Sequence, residues 1–314
     1  MGLVRKIFSR RASGNLTAIN LHAGRIEVAR VRRQMGARPM VEFCAQFSGG
    51  GPQADQLQRV RRELHLEKYR CATMLSLGRY QVQVVEAPNV PAAELKSAVR
   101  WRLKDFLDYP VESATVDVLP VPGNAGPNRG GSVYAVSARS EDIRATMKLF
   151  SRAKLDLCVI DIPEMAQRNL AALFESDQRA LALLSFSTEG GLLTFSAQGE
   201  LYLSRRMETT IEQLLASDGE TRDRLFERIA LELQRSLDHF DRQHNSVSVS
   251  RVLIAPLPGD IKLAEYLTGN LSTKVEMVNL GDVLDIQQAP ELQEGAGQMR
   301  HWQVLGMALR VESI

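Results

Sequence analysis

Two stretches of the chain carry the same alternation of apolar runs and turn-forming residues. Residues 181–205 hold apolar segments on either side of Ser187-Thr188-Glu189-Gly190-Gly191, and a second turn follows at Ala197-Gln198-Gly199. Short aliphatic runs broken by glycine-bearing turns predict strand, turn, strand, turn, strand. Residues 16–47 repeat the layout: Thr17-Ala18-Ile19-Asn20-Leu21, a turn at His22-Ala23-Gly24-Arg25, a strand over 26–31 and a third over 40–47. Two such β-meanders in one chain predict two similar lobes facing a cleft.

Elsewhere the apolar spacing changes from two to three and four. A helix over 55–64 places Leu57, Val60 and Leu64 on one face, and residues 71–77 and 80–85 read as strands around a turn at Gly78. Pro91 opens a helix with Leu95, Val99, Leu103 and Phe106 in one stripe, leaving Lys96, Arg100 and Lys104 as an outward basic row. Tyr109-Pro110 ends it, and strands over 114–119 and 132–137 flank a Pro- and Gly-rich loop over 120–131. Ser140 is a candidate N-cap for a helix carrying Ile143, Met147 and Phe150; a buried strand over 155–160 and a helix over 163–174 follow. Residues 88–137 thus read as a small inserted α+β subdomain.

Downstream, the longest helix, 222–242, aligns Leu225, Ile229, Leu233, Leu237 and Phe240. A strand over 252–255, a helix over 261–271, a strand over 275–278, a loop over 290–297 and a closing helix over 302–311 complete the chain. Alternating strands and helices make this an α/β protein. The expected division is a basic tail over 1–13, a first lobe over 14–175 that includes the insertion, and a second lobe over 176–314.

With 314 residues, 44% of them hydrophobic, the chain can bury a large core. Its longest purely apolar runs fall far short of the roughly 20 residues that cross a bilayer. Residues 1–13 mix Leu3, Val4, Ile7 and Phe8 with Arg5, Lys6, Arg10 and Arg11 but lack the apolar core of a signal peptide, so a cytoplasmic protein is expected. That basic amphipathic start suits an anionic membrane surface; a solvated terminus is the simpler reading, and it leaves membrane contact mainly indirect. A net charge of +2, with no basic stripe interleaved with aromatics, gives no support for nucleic acid. Cys44, Cys71 and Cys158 are isolated in apolar segments and read as reduced core thiols.

Few residues offer chemistry. No glycine-rich turn ends in the Gly-Lys-Ser/Thr of a P-loop. His22, His65, His239, His244 and His301 give no zinc spacing, so no metal is expected. No serine sits in a nucleophile elbow. Asp238 and Asp241 share a helix face and read as a solvated surface pair.

The order of elements carries more. Two meander-led lobes, then a long helix, a short strand and a loop ending Pro258-Gly259, resemble the actin-like ATPase superfamily with its two-lobed, ribonuclease H-like fold. Three segments sharpen this toward the PilM and MshI proteins of type IV pilus assembly, the latter from mannose-sensitive haemagglutinin pili. Residues 95–122, with Ala98-Val99-Arg100-Trp101 and the Tyr109-Pro110 corner, are similar to that family's inserted subdomain. Residues 137–173, through Val159-Ile160-Asp161-Ile162, match its join to the second lobe, and residues 231–240 its long helix before the adenosine loop. The resemblance runs from about Leu16 to Arg310.

Actin-like ATPases carry an Asp-x-Gly in the turn of each meander, where backbone wraps phosphate and the carboxylate orients Mg²⁺. Here the first turn has Asn20 and His22, the second Ser185 and Ser187, and of the adenosine loop only Gly259 fits. Side chains therefore stand where backbone must approach phosphate. The resemblance implies a catalytically inactive member without cofactor: a scaffold at the cytoplasmic face of the inner membrane. Its partner would be the tail of a PilN- or MshJ-like single-span protein, docking beside the insertion near Lys96, Arg100 and Lys104. Homo-oligomerisation is left open. The rivals are a working ATPase with an altered pocket and a cytoplasmic component of a type II secretion system.

Overall fold

The computed structural model describes residues 16–123, 131–259 and 261–311. The first meander is β1 (Thr17–His22), β2 (Arg25–Arg32) and β3 (Met40–Ser48). Helix α1 (Gln53–Glu63) returns the chain to β4 (Arg70–Met74). Next come β5 (Tyr80–Glu86), α2 (Ala92–Arg102), β6 (Ala114–Pro120) and β7 (Ser132–Arg139). Helices α3 (Ser140–Arg152) and α4 (Pro163–Ala171) flank β8 (Asp156–Asp161). The second meander is β9 (Ala180–Ser187), β10 (Gly190–Ala197) and β11 (Glu200–Met207). It is followed by α5 (Ile211–Ala216), α6 (Gly219–Gln243), β12 (Val249–Ile254), α7 (Leu263–Asn270), β13 (Val275–Met277) and α8 (Gly295–Ala308).

The strands make two five-stranded sheets of identical plan, β3-β2-β1-β4-β8 and β11-β10-β9-β12-β13. In each, an antiparallel meander is extended by two parallel strands reached through helices. Helices α4 and α8 lie between the two sheets, and one apolar cluster runs from Ala18, Ala29 and Val31 through Leu170 and Leu305 to Leu183 and Leu253. The outer face of the first sheet is covered by α1 and α3, that of the second by α5, α6 and α7. Because β9 and β10 are covered on both faces they are apolar nearly throughout, which is why they read as continuous runs rather than as an alternation.

The structure adjusts several sequence-based boundaries. Strand β5 does not pair with β4 across Gly78; it leaves the first sheet and joins a three-stranded sheet, β5-β7-β6, so the insertion begins at Tyr80 rather than Pro88. Most of the 120–131 loop lies outside the described residues. Helix α2 stops at Arg102, so Leu103 is buried in the turn beyond it while Phe106 is 55% exposed. Ser140 is the first helical residue of α3 rather than its cap, and its hydroxyl meets that of Thr115 at 2.9 Å. Met147, placed in the apolar stripe of α3, is exposed.

Helix α5 was not expected, although Thr210 and Gln213 form a capping box that the sequence displays. Helix α8 begins inside the expected 290–297 loop. Its glycines are packing residues: a Cβ on Gly295 would stand 2.8 Å from the Leu257 carbonyl, and one on Gly297 1.7 Å from that of Glu291.

Candidate functional site

The register of the first hairpin sets Asn20 opposite Glu27. Pleating turns Ala18, Asn20, Glu27, Ala29 and Val31 inward to α8, while Ile19, Ile26 and Val28 face α1 and α3. Asn20 Nδ2 lies 3.0 Å from His22 Nε2, which is 3.3 Å from Glu27 Oε2. Arg25 Nε stands 3.1 Å from Glu27 Oε1. Glu27 is 1% exposed, so this carboxylate is tolerated only because a guanidinium and an imidazole flank it. Above it on α8, His301 is buried with Nδ1 unpartnered; burial lowers its pKa, against an opposing pull from Glu27, so the ring is neutral near pH 7.

The second hairpin is closed by its own bonds. Ser185 Oγ donates to Gln167 Oε1 of α4 at 2.5 Å, and Gln167 Nε2 donates to the carbonyls of Leu183 and Leu192 and to Thr194 Oγ1 at 2.7, 3.0 and 3.1 Å. Ser187 Oγ donates to the Gly190 carbonyl and accepts from the Glu189 N–H, both at 3.1 Å. The turn needs glycine at 190: φ is +113°, and a Cβ would stand 2.5 Å from the Met207 carbonyl. At the tip, Glu189 accepts from the N–H of Leu77, at the root of the insertion, at 3.4 Å.

Between the hairpins, two buried carboxylates flank the start of α4, Asp161 at the end of β8 and Glu164 in the first turn, where the helix macrodipole favours negative charge. Glu164 accepts from Arg206 of β11 at 2.8 Å and from the Tyr80 hydroxyl of β5 at 2.8 Å, and Arg206 also reaches Tyr80. Burial, reinforced by Glu164, pushes the Tyr80 hydroxyl well above its ordinary range. Asp161 pairs with Arg310 at 2.8 Å. A further contact, Tyr134 Oη donating to the Tyr202 carbonyl at 2.7 Å, also ties the insertion to β11. Gly259 is exposed after β12, with φ +77° and nothing within 4 Å of its Cβ position.

Thus Asn20 and His22 form one cluster, Ser185 is bonded to α4, Ser187 is spent on its own turn, and Gly259 stands apart. Each buried carboxylate near them already has a guanidinium: Glu27 with Arg25, Glu164 with Arg206, Asp161 with Arg310. Among the described residues no group of three His, Cys, Asp or Glu is placed to hold a metal ion. Two surface cavities, of about 280 and 380 Å³, lie elsewhere, between β3 and α1 and between residues 34–38 and 281–287.

The basic row divides on inspection. Lys96 meets Asp117 at 2.5 Å, and Arg100 holds the carbonyls of Val111 and Glu112 at 2.8 and 2.5 Å. Lys104 lies beyond the end of α2 and is exposed beside Trp101, which is 59% exposed.

Sequence reading did not single out Glu27, Glu164, Gln167 or Arg206. One signal was available: Glu27 falls at an inward position of an alternating strand, where a charge is unusual and calls for a partner.

No protein-family model and no curated protein sequence matches the chain. Among solved structures, the chain is similar to one described as the PilM-PilN type IV pilus biogenesis complex, with TM-score 0.74 and 20% identity over 95% of this chain and 99% of that one. It is also similar to a Bacteroides thetaiotaomicron protein of actin-like ATPase fold and unknown function, with TM-score 0.51 and 10% identity over 88% and 94% of the two chains. The cytoplasmic domain of EpsL, an inner-membrane component of the type II secretion system of Vibrio cholerae, aligns with TM-score 0.49 and 13% identity over 96% of each chain. The architecture is therefore that of the actin-like ATPases, as the order of elements implied. No helix among the described residues is long and apolar enough to cross a membrane.

Proposed function

We propose that this protein is a non-catalytic scaffold of a type IV pilus assembly complex, held at the cytoplasmic face of the inner membrane by the tail of a PilN-like single-span protein. The observation that carries the inactive reading is that the side chains of the two hairpin turns are engaged by the protein's own groups. At the first turn the Arg25 guanidinium stands 3.1 Å from the buried Glu27 carboxylate and the His22 ring 3.3 Å from it, and at the second both serine hydroxyls are consumed by Gln167 and the turn backbone. A triphosphate would have to displace these bonds and bring its charge to the buried Glu27 carboxylate. The assembly role is supported by the likeness to the PilM-PilN structure, which extends over nearly the whole chain, insertion included. A MshI-like assignment, with a MshJ-like partner, is the narrower form of the same proposal.

Trp101 and Lys104 offer an exposed apolar anchor and a cation on the insertion, the pairing that a short peptide uses for affinity and register. The test combines two measurements on the full chain. Affinity purification from native membranes retrieves a single-span inner-membrane protein, and Trp101→Ala with Lys104→Glu reduces its recovery. Melting curves with ATP and Mg²⁺ show no displacement, whereas a ligand at one hundred times its Kd stabilises by about 2.7 kcal/mol, or several degrees.

The rival reading, an active ATPase with an altered pocket, draws on Glu27, a carboxylate in the first hairpin at a position other than the family's. A clear rise in melting temperature with ATP and Mg²⁺, together with phosphate release above background, would establish that reading and remove the inactive one.

A further inference from the structure

We propose that the outer face of α1 and α3 is a docking surface for anionic lipid headgroups. On α3, Arg144, Lys148 and Arg152 follow one another at a spacing of four and are exposed, with Met147 exposed among them. Lys154 extends the row past the helix end. From the neighbouring elements come Arg62, at the end of α1, and Lys68, just before β4. The Gln58 side chain, midway along α1, donates to the Arg152 carbonyl at 3.3 Å, and Val60 and Leu66 share an apolar cluster with Phe150 and Ala153, so these cations lie on one side of the first sheet.

None of the six forms an ion pair, although Glu63, Glu67 and Asp156 lie at the same end. Elsewhere basic side chains such as Arg30, Arg206, Arg251 and Arg310 are matched with carboxylates. Unneutralised charge concentrated on one helical face attracts a polyanion.

The chain itself argues for lipid as that polyanion. Strand β1 pairs with β4, Thr17 beside Cys71, and Cys71 packs in the same cluster as Phe150 and Ala153 of the α3 end. The residues that precede this point include Arg5, Lys6, Arg10 and Arg11 with Leu3, Val4, Ile7 and Phe8, and contain no acidic residue. Basic groups accompanied by aliphatic ones suit a headgroup layer. Single-stranded nucleic acid would call for aromatic stacking groups, and the six cations bring none with them. This contact is separate from the docking of a partner tail on the insertion, and either can hold without the other.

The experiment is flotation of the full chain with phosphatidylcholine vesicles, with and without phosphatidylglycerol. Binding is expected only with phosphatidylglycerol, and it is lost as salt rises from about 0.1 M to about 1 M, where the Debye length shrinks from ~10 to ~3 Å. Each basic residue near an anionic surface is worth roughly 1 kcal/mol, so Lys148→Ala with Arg152→Ala weakens binding about 30-fold. Both residues are exposed, and an unchanged melting temperature confirms that the variant is folded. Equal binding to neutral vesicles overturns the proposal. So does binding that ignores the double substitution but vanishes when residues 1–13 are removed. A duplex DNA fragment bound as tightly, with the same dependence on Lys148 and Arg152, makes the patch a nucleic-acid site and overturns it as well.

Discussion

Helices α4 and α8 cross so closely that Gly306 has no room for a side chain. A Cβ there would lie 2.2 Å from the Ala166 carbonyl oxygen and 3.1 Å from its Cα, so the obstruction is backbone and cannot swing aside. In Gly306→Ala the helices must separate. Overpacking of this kind costs about 1–3 kcal/mol, occasionally more, and a backbone obstacle puts the value at the upper end. Separation also strains the bond from Asn169 Nδ2 to the Gly306 carbonyl, 2.9 Å long, worth about 1 kcal/mol. The expected loss is about 3 kcal/mol or more, roughly 6 °C in melting temperature at about 2 °C per kcal/mol.

Gly269, exposed in α7 with nothing within 4 Å of its Cβ position, is the control. Gly269→Ala leaves stability unchanged or raises it by up to about 1 kcal/mol, because alanine narrows the unfolded ensemble. Urea titration of both variants measures the difference. If Gly306→Ala lay within about 0.5 kcal/mol of the parent protein, a range typical of surface substitutions, the close crossing would not be the constraint claimed for it.

Three further outcomes are expected. Arg206→Met leaves the Glu164 carboxylate buried with only the Tyr80 hydroxyl as partner and costs about 3–5 kcal/mol by denaturant titration, whereas changing Glu164→Gln as well recovers much of the loss. Gln167→Leu removes the group that holds Ser185 and the carbonyls of Leu183 and Leu192, and costs about 1–3 kcal/mol. His244 and His301 have pKa values lowered by burial from 6.5, so on acidification the unfolded chain takes up their protons first. Their contribution is complete above about pH 6.5 and is lost as pH falls toward the folded values. His301→Gln flattens that part of the curve, and an unchanged slope would show that His301 is not responsible.

Both meanders, the long amphipathic helix and the α/β alternation could be read from spacing, because hairpin turns and helical stripes leave local marks. The course of β5 could not: an alternating strand fits any sheet with one free face, and only the three-dimensional pairing with β7 assigns it. Gly295 and Gly297 misled because glycine marks loops and close packing alike, and the obstructing carbonyls of Leu257 and Glu291 are invisible in a local window. At the cleft, Asn20, His22, Ser185 and Ser187 were legible through the missing Asp-x-Gly. Their partners Gln167 and Glu27 were not singled out, nor was the pair of Arg206 and Glu164, since each is defined by a contact with another element.

The position of α8 has a consequence for synthesis. It covers the inner face of β1 and β2 with His301 and Leu305, and Arg33 after β2 donates to the Leu309 carbonyl at 2.7 Å. A ribosome adds about 5–20 residues per second, so the first meander leaves the tunnel roughly 12–50 s before the helix that shields it. Throughout that interval Ala18, Ala29 and Val31 present a bare apolar surface, with Glu27 amid them. The nascent chain thus exposes this surface until residue 308 emerges, and a chain cut short anywhere before α8 keeps the inner face of β1 and β2 without that cover.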